Sequence, residues 1–455
     1  MEAIWKHMTL LTNHLLSTLW PWEPMFHFLA MCFLLLLFFL VKHFLSKPSP
    51  VYLVDFSCLK PPSHCRVPFA TFLENASMLG FFDSESIAFM AKVLHNSGQS
   101  EETYLPPSLH YIPPETHHTE SIKEVQMVLY PVMNDLLAKT NISPLHIDIL
   151  IVNCSGFCPS PSLSSIVVNK YSMRSDVKSY NISGMGCSAS AICIELAQNL
   201  LRVHKNSNAV VLSTEILSTG WYSGNEKSKL LINCSFRMGS AAILLSNKKE
   251  AKKSAKYRVV RTLRTQRAFD DKAYLSAIRE EDSEGNLGVT INRESVQEVR
   301  ETIRSNVSIL GSQILPLSEK FRYAVSMIKK RFNKSEGIYV PNFKVVIQHF
   351  CFPCSGRPLI IELGKGLGLS ERDIEPALMT LHRFGNQSSS SLWYELAYLE
   401  TKEKVHKGDK IWQLGMGTGL KCDSIILQCI RPIVGEHEKG PWADCIHRYP
   451  ILALD

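Results

Sequence analysis

Cys187 stands in Asn181-Ile-Ser-Gly-Met-Gly-Cys-Ser-Ala-Ser190, behind two glycines and ahead of a run in which Ile192, Leu196, Leu200 and Val203 recur at helical spacing. That spacing predicts a helix with the cysteine at its N-terminus. Free backbone N–H groups and the helix dipole there favour thiolate over thiol, the chemistry of a sulfur nucleophile. Gly184 and Gly186 let the backbone bend sharply and leave room for a substrate carbonyl. A lone Gly-x-Gly-Cys is as readily a buried cysteine beside a bend, so its partners decide. Such a nucleophile needs an imidazole for its proton and an amide or N–H pair for an oxyanion. The second half of the chain offers His349 at the end of a strand-like run, then Leu381-His-Arg-Phe-Gly-Asn386. It also offers Gly415-Met-Gly-Thr-Gly419, whose backbone N–H groups are further oxyanion candidates.

The elements that must position these residues follow from periodicity. Helices are expected over Ser84–Leu94, Ser121–Lys139, Pro161–Tyr171, Cys187–Val203, Arg357–Leu367 and Ser390–Glu400, and a helix-rich segment ends at Phe332. Strands are expected over Ile147–Val152, Ala209–Thr214, Phe236–Ser246, Phe343–Phe350, Lys410–Leu414 and Cys422–Leu427. This alternation predicts an α/β fold with a parallel or mixed sheet covered by helices. The second half repeats the first, with Gly385-Asn386 preceding a helix as Gly186-Cys187 does. The chain divides into 1–47, a membrane anchor of one or two spans; 48–119, a connector and cap; 120–247, the half with the nucleophile; 248–340, a charged and helical intervening segment; and 341–455, the second half. Lys248–Lys256 reads as a solvated loop.

The anchor rests on Pro24–Val41, eighteen residues without Lys, Arg, Asp or Glu, flanked by Trp20 and Trp22 on one side and by Lys42, His43 and Lys47 on the other. No small-residue cleavage site follows, which argues against a signal peptide. Met8–Trp20 is a weaker apolar run, either a second span or an interfacial helix. In a chain of 455 residues, 45 % hydrophobic and 20 % charged residues indicate a globular protein with a substantial core. The net charge of +7 is spread out, with no basic block interleaved with aromatics, which weighs against nucleic acid and suits anionic small molecules or a membrane face. Thirteen scattered cysteines do not form a disulfide framework and suit a domain facing the cytosol. Cys154/Cys158 and Cys351/Cys354 allow a zinc site without requiring one; the reading adopted has no metal and no cofactor.

Together these motifs resemble those of the plant 3-ketoacyl-CoA synthases of very-long-chain fatty acid elongation, within the thiolase superfamily. The resemblance runs from the anchor to the C-terminus and is carried by residues 184–188, 208–215, 236–239, 380–386, 388–396 and 440–446. It implies a thiolase-like αβαβα sandwich of two pseudo-equivalent halves. It also implies a decarboxylative Claisen condensation of malonyl-CoA with a long-chain acyl-CoA at an endoplasmic reticulum membrane, in a homodimer working with other elongase subunits. Cys187 would be the nucleophile and Asn386 the group that steadies the enolate, with His349 and His382 matching further family histidines. Two positions depart from the family pattern. Gln266 and Pro353 stand where the family has histidines, the latter its catalytic one, and proline can neither take a proton nor donate a hydrogen bond. An alternative expectation follows: a catalytically impaired homologue that binds or tunes active synthases.

Overall fold

The computed structural model describes residues 7–10, 14, 23–45, 49–291, 296–333 and 337–451. The chain forms two compact units, 1–49 and 50–455. In the first, α1 (Glu23–Leu45) carries the apolar run, and the side chains described within it, 26–39, are all exposed. Among the described residues no helix is long and apolar enough to cross a membrane. The weaker run Met8–Trp20 falls mostly outside the described residues.

The second unit is built on one nine-stranded sheet and a small ribbon. Its strands are β1 (Val51–Cys58), β2 (Ile149–Asn153), β3 (Lys178–Ile182), β4 (Asn208–Thr214), β5 (Ser240–Ser246), β6 (Tyr257–Gln266), β7 (Ala277–Glu281), β8 (Leu287–Ile291), β9 (His349–Cys351), β10 (Lys410–Gly417) and β11 (Lys421–Cys429). The ribbon is β7–β8, and the large sheet runs β3-β2-β4-β5-β1-β6-β11-β10-β9. Outward from the antiparallel β1–β6 seam, each side repeats one sequence of pairings: antiparallel, antiparallel, parallel. The two halves are therefore related in topology, with β3 as one extra parallel strand on the first.

Local sequence explains most of these elements. Every residue of β2, β4 and β5 is buried, as continuous apolar runs covered on both faces should be. The helices that bear on the site are α2 (His118–Thr140), α3 (Ala189–Val203), α4 (Val296–Ile314), α5 (Leu317–Phe332), α6 (Glu371–Phe384) and α7 (Ser391–Thr401). Two of them, α3 and α7, form the middle layer, joined by Trp393 Nε1 donating to Ser190 Oγ at 2.6 Å. All eleven residues of α7 are buried, and α3 packs on strands of both halves.

Three segments differ from expectation. Phe343–Phe350 is not one strand: Asn342 caps a 3₁₀ turn over Phe343–Val345, Phe343 stacks on Trp412 with ring centroids 5.0 Å apart, and only His349–Cys351 joins the sheet. An apolar run signals burial, and here half of it plugs the core instead of extending an edge. The sheet also draws β1 from the segment read as a connector and β6 from the segment read as charged and helical. β6 escapes a periodicity reading because Arg258, Arg261 and Arg264 interrupt it, yet it pairs with β11 along its length. Lys256, read within a solvated loop, is 2 % exposed, with Asp55 at 2.9 Å, Glu400 at 2.8 Å and Glu436 at 3.0 Å from its Nζ. That cluster joins β1, α7 and the C-terminal segment beside the seam.

Candidate active site

The nucleophile turn is a 3₁₀ turn over Gly186–Ser188 that opens into α3. Its sharp bend uses a positive φ of 63° at Gly186, where a Cβ would meet Thr418 N at 2.5 Å. A Cβ on Gly417 would overlap the Met185 carbonyl oxygen. Thr418 Oγ1 donates to Gly184 O at 3.1 Å, closing the contact. The glycines at Gly415–Gly419, whose N–H groups were the further oxyanion candidates, let the end of β10 lie against the Gly186–Ser188 turn.

Cys187 is half-buried beneath this turn. Burial pushes its thiol up to about 11; the bond with Ser388 lowers it, and the nearby Glu215 charge raises it. Desolvation and the neighbouring carboxylate thus oppose the thiolate that a helix start favours.

The second half approaches through a matching turn. The helix α6 stops at Gly385, with φ of 72°, where a side chain would overlap that of Arg237; Arg237 N in turn donates to Asn386 O at 2.8 Å. Asn386 is 4 % exposed, and its Oδ1 accepts from Ser388 N at 2.8 Å. That bond fixes the amide so that its NH₂ end remains the donor. A 3₁₀ turn over Ser388–Ser390 follows, opening into α7. Ser388 has φ of 54°, a left-handed conformation that costs a non-glycine residue about 1 kcal/mol. Its Oγ lies 3.5 Å from Cys187 Sγ and 3.3 Å from Glu215 Oε2. Ser389 Oγ is 2.8 Å from both Asn153 Oδ1 and Ser213 Oγ, pinning the serine run to the ends of β2 and β4.

Glu215, just past β4, is the charged group beside Cys187 that motif reading left without a role. It is buried at its carboxylate, where Gly156 N donates at 2.7 Å, Ser155 N at 3.2 Å and Cys154 Sγ at 3.4 Å. Burial raises its pKa, and these bonds oppose the rise. The signal in sequence was an acid directly after a largely apolar, wholly buried strand.

The two histidines lie elsewhere. His349 Nε2 is 3.1 Å from Asp409 Oδ2. It pairs in register with Ile411, six residues before Gly417, so it stands roughly 20 Å along the sheet from the nucleophile end. His382 Nδ1 is 3.1 Å from Tyr449 OH, with the rings edge to face at 5.8 Å. Burial lowers the pKa of both rings. Neither makes a hydrogen bond to Cys187 or Asn386. Pro353 is buried two residues beyond β9; carrying the register forward sets it level with Gly415, whose Cβ position is 3.2 Å from Ser188 Cα. Gln266 is exposed at the end of β6, opposite Lys421. The paired cysteines serve apart, Cys154 on Glu215 and Cys354 Sγ donating to Glu395 at 3.4 Å. Among the described residues no His, Cys, Asp and Glu group is placed to hold a metal.

The family model described as FAE1/Type III polyketide synthase-like protein matches residues 43–332, and a 3-oxoacyl-(acyl-carrier-protein) synthase III C-terminal model matches 345–429. The chain is 47 % identical over 417 residues to 3-ketoacyl-CoA synthase 6 of Arabidopsis thaliana, covering 91 % of this chain and 84 % of that one. It is 46 % identical over 427 residues to 3-ketoacyl-CoA synthase 5 of the same plant, covering 94 % and 86 %. The chain belongs to the plant 3-ketoacyl-CoA synthase family. Its fold is that of type III polyketide synthases. PKS-I from the brown alga Ectocarpus siliculosus superposes with a TM-score of 0.67 at 15 % identity, covering 85 % of this chain and all of that one. The fungal synthase ORAS gives 0.64 at 13 %, covering 83 % and 99 %. The mixed α/β, thiolase-like architecture implied by the motifs is thus the architecture found.

Proposed function

We propose that this 3-ketoacyl-CoA synthase homologue condenses a long-chain acyl-CoA with malonyl-CoA, releasing carbon dioxide and forming a 3-oxoacyl-CoA. One observation carries the reading: the Cys187 thiol of the first half meets the Asn386–Ser388 turn of the second, each at the start of a buried central helix. The acyl group passes from coenzyme A to Cys187 Sγ. The NH₂ end of Asn386 donates to the thioester oxygen of the malonyl group, where negative charge collects as carbon dioxide leaves. The resulting carbanion attacks the acyl carbonyl and frees the thiol. His349 and His382, expected at the site from the motifs, act in this reading by holding strand and helix ends.

Assay of the full chain in membranes with long-chain acyl-CoA and labelled malonyl-CoA tests this. Cys187-dependent 3-oxoacyl-CoA is expected, with Pro353→His raising the rate about tenfold or more by restoring a proton acceptor. Product that persists in Cys187→Ala overturns the assignment. A silent native chain beside an active Pro353→His variant would mark it as a partner of active synthases.

The unit 1–49 supports a further reading. The exposed side chains 26–39 are almost wholly Phe, Leu, Met, Ala and Cys, a surface that water does not favour. We propose that it sits in the endoplasmic reticulum membrane with the second unit facing the cytosol, as a homodimer beside other elongase subunits. Carbonate extraction should leave the full chain in the membrane pellet, and release into the supernatant would refute membrane insertion.

A further inference from the structure

Pro353 stands where the family resemblance puts a histidine; among the described residues no histidine is hydrogen-bonded to Cys187, and burial opposes ionisation of its thiol. Its polar contact is Ser388 Oγ, 3.5 Å away, and that oxygen also lies 3.3 Å from Glu215 Oε2. A hydroxyl has a single proton and cannot donate to both. The carboxylate is the stronger acceptor, so the Ser388 proton goes to Glu215 and an oxygen lone pair faces the thiol. Ser388 is held in this bridging position at the cost of a left-handed backbone, a kind of strain that persists where surrounding structure fixes it. Glu215 is anchored by two backbone N–H groups, so its free lone pairs remain aimed at the bridge.

From this geometry we infer that Ser388 and Glu215 form a proton relay that replaces the missing histidine in activating Cys187, an inference that rests on the condensing-enzyme reading above. As Cys187 Sγ bonds to the acyl carbonyl carbon, its proton moves to Ser388 Oγ and the Ser388 proton moves to Glu215. When the bond to coenzyme A breaks, the proton returns by the same path to the departing thiolate. The sum is acyl-CoA plus enzyme thiol giving acyl-enzyme plus coenzyme A, with no other reactant. Glu215 is a positioning and proton-holding residue acting through Ser388; burial raises its pKa above the ordinary carboxylate value, which makes it a stronger base. The titratable groups around it are Cys154 at 3.4 Å, Cys187 through the bridge, and Glu124 on α2; Arg279, beside Gly156, donates to the Gly156 carbonyl at 2.6 Å.

The rate at which iodoacetamide alkylates Cys187, followed from pH 5 to 10 in the full-length protein, tests the relay without requiring condensation. Glu215→Gln keeps the shape and removes the base. The relay predicts at least about tenfold slower alkylation at pH 7 and loss of the inflection in the carboxylate range. If Glu215 acts only as a nearby charge, its removal lowers the thiol pKa and alkylation becomes faster, which overturns the proposal. Ser388→Gly, which relieves the left-handed strain while deleting the hydroxyl, should reproduce the Glu215→Gln profile and serves if that variant does not fold. Adding Pro353→His to either variant should restore the rate, because an imidazole bypasses the relay; no restoration, with folding intact by circular dichroism, counts against it. A Glu215-dependent profile in a chain that makes no 3-oxoacyl-CoA would keep the relay and reject the condensing-enzyme reading.

Discussion

The turn at Gly186-Cys187-Ser188 and the turn at Gly385-Asn386-Gln387-Ser388 are the same device built twice. Each uses a left-handed glycine to reverse the chain, tightens into a 3₁₀ turn and launches a central helix. Each is pressed against backbone of the other half, the first against Thr418 N and the second against Arg237. They differ in what they present. The first offers a thiol; the second offers an amide and a hydroxyl that reaches across to the thiol. A duplicated scaffold thus supplies two equivalent places near its centre, and side-chain type alone tells them apart. The same comparison isolates the anomaly. The C-terminal end of β2 leads into backbone N–H groups that hold Glu215, and the equivalent end of β9 gives Phe352 N to Glu395 Oε2 at 2.8 Å but then reaches Pro353, which offers no polar side chain.

The widest break in this comparison comes from the nucleophile. Cys187→Ala should lower 3-oxoacyl-CoA formation by about 10⁴-fold or more and abolish acyl transfer to the protein, measured with labelled acyl-CoA. Asn386→Asp separates the two turns by step. Its carboxylate still accepts from Ser388 N but has no N–H, so condensation should fall about 10²- to 10³-fold. Acylation of Cys187 should change only a few-fold; an equal loss in both steps would show that Asn386 is not specific to the enolate.

Two glycines sharpen the packing side. Gly186→Ala drives a methyl into Thr418 N and should cost about 2–3 kcal/mol by urea unfolding. Gly184→Ala has a similar φ of 70° but open space, and should cost about 1 kcal/mol. Equal costs would mean that backbone strain, not the contact between halves, sets the glycine requirement.

The smallest effect is in pH dependence. Asp423 on β11 is bonded by Arg264 Nε at 3.1 Å, yet burial pushes it up from an ordinary 3.8 to about 7. The native state therefore binds its proton more tightly than the unfolded chain. That contribution is whole below pH 3.8 and is lost as pH rises through about 7. Asp423→Asn should flatten the stability slope between pH 4 and 7, read as the urea midpoint across that range; an unchanged slope would show that Asp423 is not its source.

Much was readable residue by residue. The spacing of Val125, Val128, Leu129, Val132 and Leu136 marks α2, and the apolar runs mark β2, β4 and β5, because burial on one face or two imposes a local period. The glycines before Cys187 and Asn386 marked both turns. The arginine-studded β6 was not readable, since its strand partners lie 155 residues or more away, such as Asp423 opposite Arg264. Nor was the distance of His349 from the thiol, which is a matter of strand register.

By itself, then, the sequence determined the family, the two-half α/β plan, the cysteine behind two glycines and the absence of a histidine at position 353. Only the tertiary structure decided which groups meet. Ser388 is 201 residues from Cys187 and 173 from Glu215, and no local pattern encodes that bridge. It arises because the β1–β6 seam, the close contact of β10 with the Gly186–Ser188 turn and the buried central helices fix the two turns against each other, so that one hydroxyl bridges a thiol and a carboxylate.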